Sequence, residues 1–155
     1  MFDTLNKQEI NEVIKSNFIG HLGCHAEGRT YVVPISYAYD GKYLYARSFE
    51  GMKLDMMRKN PQVCFQIDQM ENTADWKSVV IWGTFEELEG ELRNKALKKL
   101  MSRPLPTLAS NTVKFSTDWP FPITDLNSID GIVYRIFIQE KTGRSEMPDP
   151  QYFPR

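Results

Sequence analysis

The hydrophobic and polar positions change their period several times along the chain, which divides it into helices and strands. Apolar residues recur at intervals of three and four in three segments, and this predicts amphipathic helices at Asn6–Ser16, Gly51–Lys59 and Gly90–Ser102. Ser48 is the candidate N-cap of the second helix, and Asn60-Pro61 ends it.

Six other segments are rich in β-branched and aromatic residues, as is typical of strands. They are Phe18–Ala26, Thr30–Tyr39, Lys42–Arg47, Val63–Asp68, Trp76–Leu88 and Ile132–Gln139. Short turns join the first three into a meander, a polar linker at 69–75 precedes the fifth, and helices do not alternate regularly with strands. The pattern predicts a mainly β protein, a single domain of residues 1–155 built as a six-stranded antiparallel barrel with peripheral helices.

Two segments depart from these simple patterns. The second predicted strand contains Pro34, which has no backbone N–H, so this strand is expected to be an edge, to bulge, or to be approached by another group. Residues 103–130 contain four prolines and no sustained period. Because long irregular loops in compact domains commonly cover a site or contact a partner, we expect a covering loop there.

Composition and charge exclude several classes of function. The 155 residues carry 19 basic and 20 acidic side chains, a net charge of -1, so no field of the whole molecule attracts nucleic acid or an anionic membrane. No apolar run reaches the ~18 residues of a membrane span, and the first ten residues lack the pattern of a secretory signal, so we expect a cytoplasmic protein. Cys24 and Cys64 are expected to be reduced core residues.

His21 and His25 invite a metal or haem interpretation. On one strand they would share a face but stand ~13 Å apart, too far to bind one ion, and a haem-attachment motif would need a second cysteine nearby. We therefore expect partly buried strand histidines and no metal site.

A candidate anion site lies where the third predicted strand meets the second helix. Arg47 and Ser48 end the strand, Gly51 stands where the helix begins, and Lys53 lies in its first turn. Free helix amides, a hydroxyl and two cations are the groups that bind a monophosphate. The spacing matches no general nucleotide-binding motif, so a solvated basic helix is the alternative interpretation.

Five ordered stretches together resemble the pyridoxamine 5'-phosphate oxidase-like, FMN-binding split-barrel superfamily, and within it the branch related to nitroimidazole resistance. They are Val33-Pro34-Ile35-Ser36-Tyr37, Tyr45-Ala46-Arg47-Ser48, Gly51-Met52-Lys53, Lys59-Asn60-Pro61-Gln62-Val63 and Ser78-Val79-Val80-Ile81-Trp82-Gly83. A weaker match is Thr142-Gly143-Arg144. The likeness covers most of residues 18–89, and its specificity comes from the order of the stretches.

The resemblance implies a homodimer that binds FMN in two equivalent clefts at the subunit interface. It implies that Arg47, Ser48 and Lys53 hold the FMN phosphate. The isoalloxazine ring would lie beside Val33, Pro34, Ile35 and Ser36, while Ser78 and Val79 would approach from the interface.

On this resemblance the protein is expected to be an FMN-dependent oxidoreductase that passes electrons or hydride to a small planar acceptor. The flavin carries such chemistry, which accounts for the lack of a catalytic dyad in the sequence. Trp82, Trp119 and Phe121 would wall the acceptor pocket, or else serve as core or interface aromatics.

The sequence also departs from the superfamily. Ala46 stands where the nitroimidazole-related branch often has histidine, and Arg144 is the sole counterpart of a C-terminal arginine-rich segment, so vitamin B6 oxidase activity is not expected. Three alternatives stay open. They are a non-catalytic flavin- or haem-binding protein, with His21 and His25 as the features that favour haem, a deazaflavin in place of FMN, and a cofactor-free interaction module.

Overall fold

The protein folds into eight antiparallel strands and three α-helices, in a computed structural model that describes residues 2–104 and 125–152. The strands are β1 (Phe2–Thr4), β2 (Ile19–Ala26), β3 (Arg29–Ser36), β4 (Ala38–Tyr39), β5 (Tyr43–Ser48), β6 (Gln62–Asn72), β7 (Asp75–Glu87) and β8 (Ile132–Glu146). The helices are α1 (Lys7–Ser16), α2 (Met52–Lys59) and α3 (Gly90–Met101). None of these three helices has the length and apolarity needed to cross a bilayer.

The strands form one sheet in the order β3-β2-β6-β7-β8-β5-β4, with β1 added beside β8. The two ends of this order, β3 and β4, are consecutive in the chain and separated by Tyr37 alone. The sheet therefore curls round on itself into a barrel. No backbone ladder joins β3 to β5 among the described strands, so the barrel stays split between them. The predicted mainly β antiparallel split barrel is confirmed.

The predicted strand at Thr30–Tyr39 is divided in the structure. Its first part, β3, pairs with β2, and its last two residues, β4, pair with β5. At the break the Tyr37 hydroxyl donates to the carbonyl oxygen of Ile14 at 2.6 Å, and its backbone N–H donates to Phe18. The predicted three-stranded meander is therefore confirmed only in part, because its first strand pairs with β3 and its third with β4, while β3 and β5 are not paired. The strand count among the described residues is eight rather than six. Pro34 lies on an edge strand, as predicted.

Two strands extend further than the sequence indicated. The polar stretch from Gln69 to Asn72 continues β6 and pairs with β7, so the predicted linker is largely a hairpin arm. Strand β8 continues past Gln139 to Glu146 after a bulge opposite Gly83. A side chain on Gly83 would collide with the backbone of β8, and the close approach of the two strands depends on glycine there. The alternation of hydrophobic and polar residues does not predict either extension, because the side chains there are mostly polar and exposed.

The helix ends differ in how they are capped. Asn6 caps α1, because its side chain accepts from the N–H of Glu9 while the Glu9 carboxylate accepts from the N–H of Asn6. The predicted cap of α2 by Ser48 is wrong. Gly51 occupies that position, with no side-chain cap, and Ser48 is engaged elsewhere.

Two apolar clusters stabilise the fold. The larger fills the barrel and is closed by α1 and α2, and its members include Ile14, Leu22, Leu54, Phe65 and Tyr134. The second lies outside the barrel, where α3 and residues 126–129 cover the outer side of β4, β5 and the start of β8. We call this outer region the covered face. Its buried side chains are Ala38, Tyr45, Leu88, Ala96, Leu97, Leu100, Ile129 and Val133.

Candidate functional site

The predicted anion-binding residues Arg47 and Ser48 project to opposite sides of β5. Leu44 and Ala46 point into the barrel while Tyr45 points into the covered face, as alternation along a strand requires. Ser48 continues the inner row and lies within hydrogen-bond distance of the Tyr134 hydroxyl, at 3.2 Å. Arg47 continues the outer row, and its Nη1 donates to the carbonyl oxygen of Asp130 at 2.8 Å.

Three arginines gather at the border of the covered face. Arg47 is buried, and burial followed by the charge of Arg93 lowers its pKa, although Asp130 opposes the shift. Burial, with a further contribution from Arg47, lowers the pKa of Arg103 to about 10. This concentration of positive charge, which Asp130 offsets in part at Arg47, is suited to an anionic ligand.

Sequence reasoning missed two of these arginines. Arg93 lies on α3 and donates to the carbonyl oxygens of Leu126 and Ile129. Arg103 was assigned to the covering loop. No signal in the sequence distinguishes either from an ordinary surface arginine, because their backbone partners lie far along the chain.

Gly51 and Lys53 lie at the start of α2, as predicted. Lys53 is half-buried and makes no ion pair with any described residue. Burial raises the pKa of the Cys24 thiol, Cys64 adds to the shift, and the ammonium of Lys53 opposes it. The Lys53 charge therefore acts near Cys24 of β2, at the end of the barrel closed by α2.

The segment from Val33 to Ser36 forms the free edge of β3, which faces the split in the barrel. Ile35 is buried in the barrel, Val33 is half-buried against the same core, and Pro34 is exposed on the outer side. Ser36 accepts a hydrogen bond from Arg103 Nη1, which also donates to the carbonyl oxygen of Tyr37 at 3.1 Å. Since β3 pairs only with β2 among the described strands, the backbone groups of its other edge are available to a ligand.

Ser78 and Val79 differ in orientation. Val79 is fully buried inside the barrel, so it can offer a ligand only its backbone. Ser78 faces outward, and its Oγ accepts from the amide nitrogen of Gln66 at 3.1 Å. Strands β2 and β6 separate Ser78 from Pro34, so three strand spacings place β7 ~14 Å from β3.

The outer side of β3, β2, β6 and β7 and of the second half of β8 has no helix over it among the described elements, and we call it the open face. Cross-strand pairing puts His21 between Pro34 and Gln66, and Val80 between Gln66 and Thr142. A cavity of about 400 Å³ lies on this face beside Ser78 and Arg144. Its large exposed apolar side chains are Ile19, Val32, Met70 and Trp82, with 61%, 60%, 65% and 42% of their surface exposed.

The remaining predicted residues also fall on or near the open face. Cys64 is a free thiol, as expected, but it lies half-buried on this face over Gly23 and not in the core. The expectation of partly buried histidines is wrong, because His21 and His25 are both exposed, and His25 Nδ1 lies 2.9 Å from the Thr30 hydroxyl. Trp82 is on the open face, while Trp119 and Phe121 lie outside the described residues.

The described residues contain no group of three His, Cys, Asp or Glu side chains that could hold a metal ion. One described group with a shifted pKa is the hydroxyl of the buried Tyr134. Burial raises its pKa to about 12, and the hydrogen bond with Ser48 opposes the shift. Such a group stays protonated at neutral pH. The arrangement is suited to binding an anion and an extended ligand along β3.

Known proteins match the chain over most of its length. The sequence model of the Pyridoxamine 5'-phosphate oxidase family matches residues 6–145. A FAD-binding protein from Mesorhizobium loti is 34% identical, with 94% of this chain and 98% of that chain covered and a TM-score of 0.70. A candidate 5-nitroimidazole antibiotic resistance protein from Bacteroides thetaiotaomicron has the same fold at 22% identity, with 94% and 87% coverage and a TM-score of 0.68.

An uncharacterised protein of Rhizobium meliloti is 38% identical over 84 residues, which are 54% of this chain and 56% of that protein. The match thus spans about half the length of this curated relative. The family match is much longer, and the relative of 34% identity covers nearly the whole chain. This protein therefore belongs to the pyridoxamine 5'-phosphate oxidase family, as the ordered sequence stretches predicted.

Proposed function

We propose that the protein is an FMN-binding oxidoreductase that works as a homodimer, with the flavin bound along the split of the barrel. The observation that carries this proposal is the position of the predicted site residues. The free edge of β3 faces the split, and Arg47, Ser48, Gly51 and Lys53 lie at the end of β5 and the start of α2. Family membership and the name of the Mesorhizobium relative, a FAD-binding protein, support a flavin as the ligand.

The residues present fit a phosphorylated flavin. A phosphate would be bound by the cations of Arg47 and Lys53, with the amides at the start of α2 as further donors. The positive charges of Arg47 and Lys53 would complement the negative charge of such a ligand. FMN is the smallest flavin that carries this group.

The backbone of residues 33–36 would bind the polar edge of the flavin ring. When bound, the flavin supplies the transfer of hydride or electrons between a reduced donor and a small acceptor. The residues of the chain would position the flavin and set the electrostatic environment of its ring. Arg103 donates to Ser36 and to the carbonyl of Tyr37, and its half-buried charge lies at the end of the segment that would bind the ring.

The homodimer is supported by the open face. Ser78 stands ~14 Å from β3 of its own subunit, so Ser78 and Pro34 complete one flavin site only if they come from different subunits. The exposed apolar side chains of this face are of the kind that a second copy would cover.

The first test is to purify the protein, denature it and identify the released chromophore by absorbance and mass. FMN is the expected result. A haem chromophore or a deazaflavin would contradict the proposal, and absence of any chromophore, with no binding of added FMN, would contradict it as well.

The second test is the double variant Arg47→Ala/Lys53→Ala, together with Lys53→Ala alone, because Arg47 is buried and its loss also affects folding. Each lost charge-assisted bond is expected to weaken FMN binding about tenfold or more. Binding is measured by flavin fluorescence, and circular dichroism checks the fold. The matched control is Lys95→Ala/Lys98→Ala, which removes two exposed cations of α3. Full flavin retention by the folded double variant would refute the phosphate assignment.

Oxidoreductase activity is tested separately, by mixing the flavin-loaded protein with a reduced nicotinamide and an electron acceptor. Bleaching of the flavin by the donor and its recovery with the acceptor are expected. A loaded flavin that is never reduced would identify a non-catalytic binding protein.

A further inference from the structure

A cavity of about 380 Å³ lies between the last turn of α1, strand β4 and the end of α3. Gly51 and Lys53, at the proposed phosphate site, are not among its described lining residues. Its volume falls within the range of pockets for small organic ligands. The groups that line it determine which ligand it can bind.

Arg103 brings a half-buried positive charge to this cavity. Its Nη1 donates to the Ser36 hydroxyl at 3.3 Å and to the carbonyl oxygen of Tyr37 at 3.1 Å. Its Nε donates to the carbonyl oxygen of Leu100 at 2.8 Å. All three acceptors are neutral. Among the described residues no carboxylate pairs with Arg103, and Nη2 has no hydrogen-bond acceptor.

The exposed Arg58 shows the contrast, because it pairs with Glu50 at 2.7 Å and with Glu87 at 3.0 Å. Burial, with a further contribution from the charge of Arg47, lowers the pKa of Arg103 to about 10, so its guanidinium is still charged at neutral pH. A half-buried charge without a counter-ion is costly. A carboxylate beside Nη2 would supply that counter-ion.

Two lysines extend the positive charge of the cavity. Lys15 is exposed and makes neither an ion pair nor a hydrogen bond with any described residue. Lys99 Nζ lies 4.0 Å from Asp40 Oδ2. Asp40 is the one carboxylate among the described lining residues, and it already accepts from two backbone N–H groups of its own turn and from the Tyr45 hydroxyl. Three cations thus face one carboxylate, and the cavity favours an anion.

The rest of the lining is partly apolar. Phe18 and Tyr39 are half-buried there, and Ile14 and Ala38 are buried in the same lining. An inorganic anion makes no use of apolar surface, whereas an acid with a hydrocarbon body covers it. The lining therefore fits an organic carboxylate better than a free phosphate.

We propose that this cavity is a binding site for a small organic acid, whose carboxylate pairs with Arg103, Lys15 and Lys99 while its apolar body packs on Phe18 and Tyr39. The site adjoins the proposed flavin site, because Arg103 also contacts Ser36, the last residue of β3. It goes beyond the proposed function. Since residues of one chain form it, it can bind its ligand in the flavin-free protein.

The experiment measures the binding of benzoate by calorimetry, both to the flavin-free protein and to the protein saturated with FMN. Benzamide has the same shape without the charge, and inorganic phosphate has the charge without the apolar body. Benzoate is expected to bind in both forms of the protein, about tenfold or more tightly than benzamide, because the carboxylate makes charge-assisted bonds. In the FMN-saturated protein, phosphate is expected to bind more weakly than benzoate.

Two variants identify the residues responsible. Arg103→Gln is expected to weaken benzoate binding about tenfold or more, but Arg103 also joins α3 to β3. Lys15→Gln/Lys99→Gln removes only exposed cations and is expected to weaken binding about fivefold. The matched control, Lys7→Gln/Lys98→Gln, removes one exposed cation outside the cavity from each of the same two helices and is expected to leave binding unchanged. Circular dichroism checks each fold.

Several results would overturn the site. They are absence of benzoate binding, equal binding of benzoate and benzamide, and an equal loss in the lysine variant and its control. Displacement of benzoate by FMN would place the acid in the phosphate site, and phosphate binding as tight as that of benzoate would exclude an organic ligand. Benzoate binding with the expected variant effects supports the cavity even if FMN fails to bind, in which case the proposed function alone is overturned.

Discussion

The barrel has two outer faces that carry similar side chains, and among the described elements a helix covers only one of them. On the covered face, Tyr45 and Val133 lie beneath α3 and are almost completely buried. On the open face, Val32 and Trp82 have 60% and 42% of their surface exposed. The apolar area of the first face contributes to the stability of one chain, whereas that of the second can contribute only to association with another molecule.

Arg103 marks the border between the two faces. It follows α3, which shields the covered face, and it donates to Ser36, the last residue of the exposed edge strand. The proposed ligand site thus lies at the edge of the part of the barrel that α3 covers. Three substitutions test this difference, in order of decreasing expected effect.

Leu97→Ala on α3 is expected to reduce the free energy of unfolding by about 2–5 kcal/mol, because the side chain is fully buried in the covered face and its loss leaves a cavity. Chemical denaturation of the flavin-free protein measures this loss. A loss of unfolding free energy smaller than that caused by substituting an exposed residue would show that α3 is not packed on the barrel.

Val32→Glu on the open face is expected to leave the fold intact and to weaken dimerisation by about 2 kcal/mol or more, because it buries a charge in the proposed interface. Sedimentation measures the association, and flavin content should fall with it, since each proposed site takes residues from both subunits. Leu92→Glu is the matched control, because Leu92 is 44% exposed on α3 and lies off the open face. A Val32→Glu protein that stays dimeric would place the interface elsewhere.

Asp40→Asn is expected to reduce stability by about 1 kcal/mol near neutral pH. Burial raises the pKa of Asp40, but the backbone N–H groups of Tyr43 and Lys42, the hydroxyl of Tyr45 and the charge of Lys99 outweigh it, so the net pKa is below its usual value. This carboxylate joins the β4–β5 turn to Tyr45 and α3 in the covered face.

The sign of the pH dependence follows from that shift. A lowered folded-state pKa means that the contribution of Asp40 is fully present above the ordinary carboxylate pKa and is lost as the pH falls through the folded value. Denaturation of the wild type and of Asp40→Asn across the acid range checks it. The difference between the two should shrink as the pH falls, and a constant difference would show that the charge of Asp40 is not what stabilises the turn.

Much of the fold could be predicted from local patterns. The three helices agree with the structure to within one residue at each end, because apolar spacing and signals such as Asn6 or Asn60-Pro61 act within a few residues. The strand at Thr30–Tyr39 was predicted as continuous, because its alternation runs unbroken through Tyr37. What divides it is a bond to Ile14, which belongs to another element.

The candidate site shows the same limit. The sequence identifies a candidate anion-binding segment at Arg47, Ser48, Gly51 and Lys53, because two cations, a hydroxyl and the start of a helix follow one another closely in the chain. The sequence does not show which way these side chains point. In the structure Arg47 and Ser48 project to opposite sides of β5. Arg93 and Arg103 were missed since their carbonyl partners lie on other segments.

The sequence by itself therefore determined the class of fold, the positions of the helices and the chemical character of one anion-binding segment, because these depend on neighbours along the chain. The tertiary structure decided where the barrel splits, which outer face α3 covers, and which residues share the border at Arg103. These depend on backbone hydrogen bonds and packing between segments far apart in the sequence, and no local pattern records them.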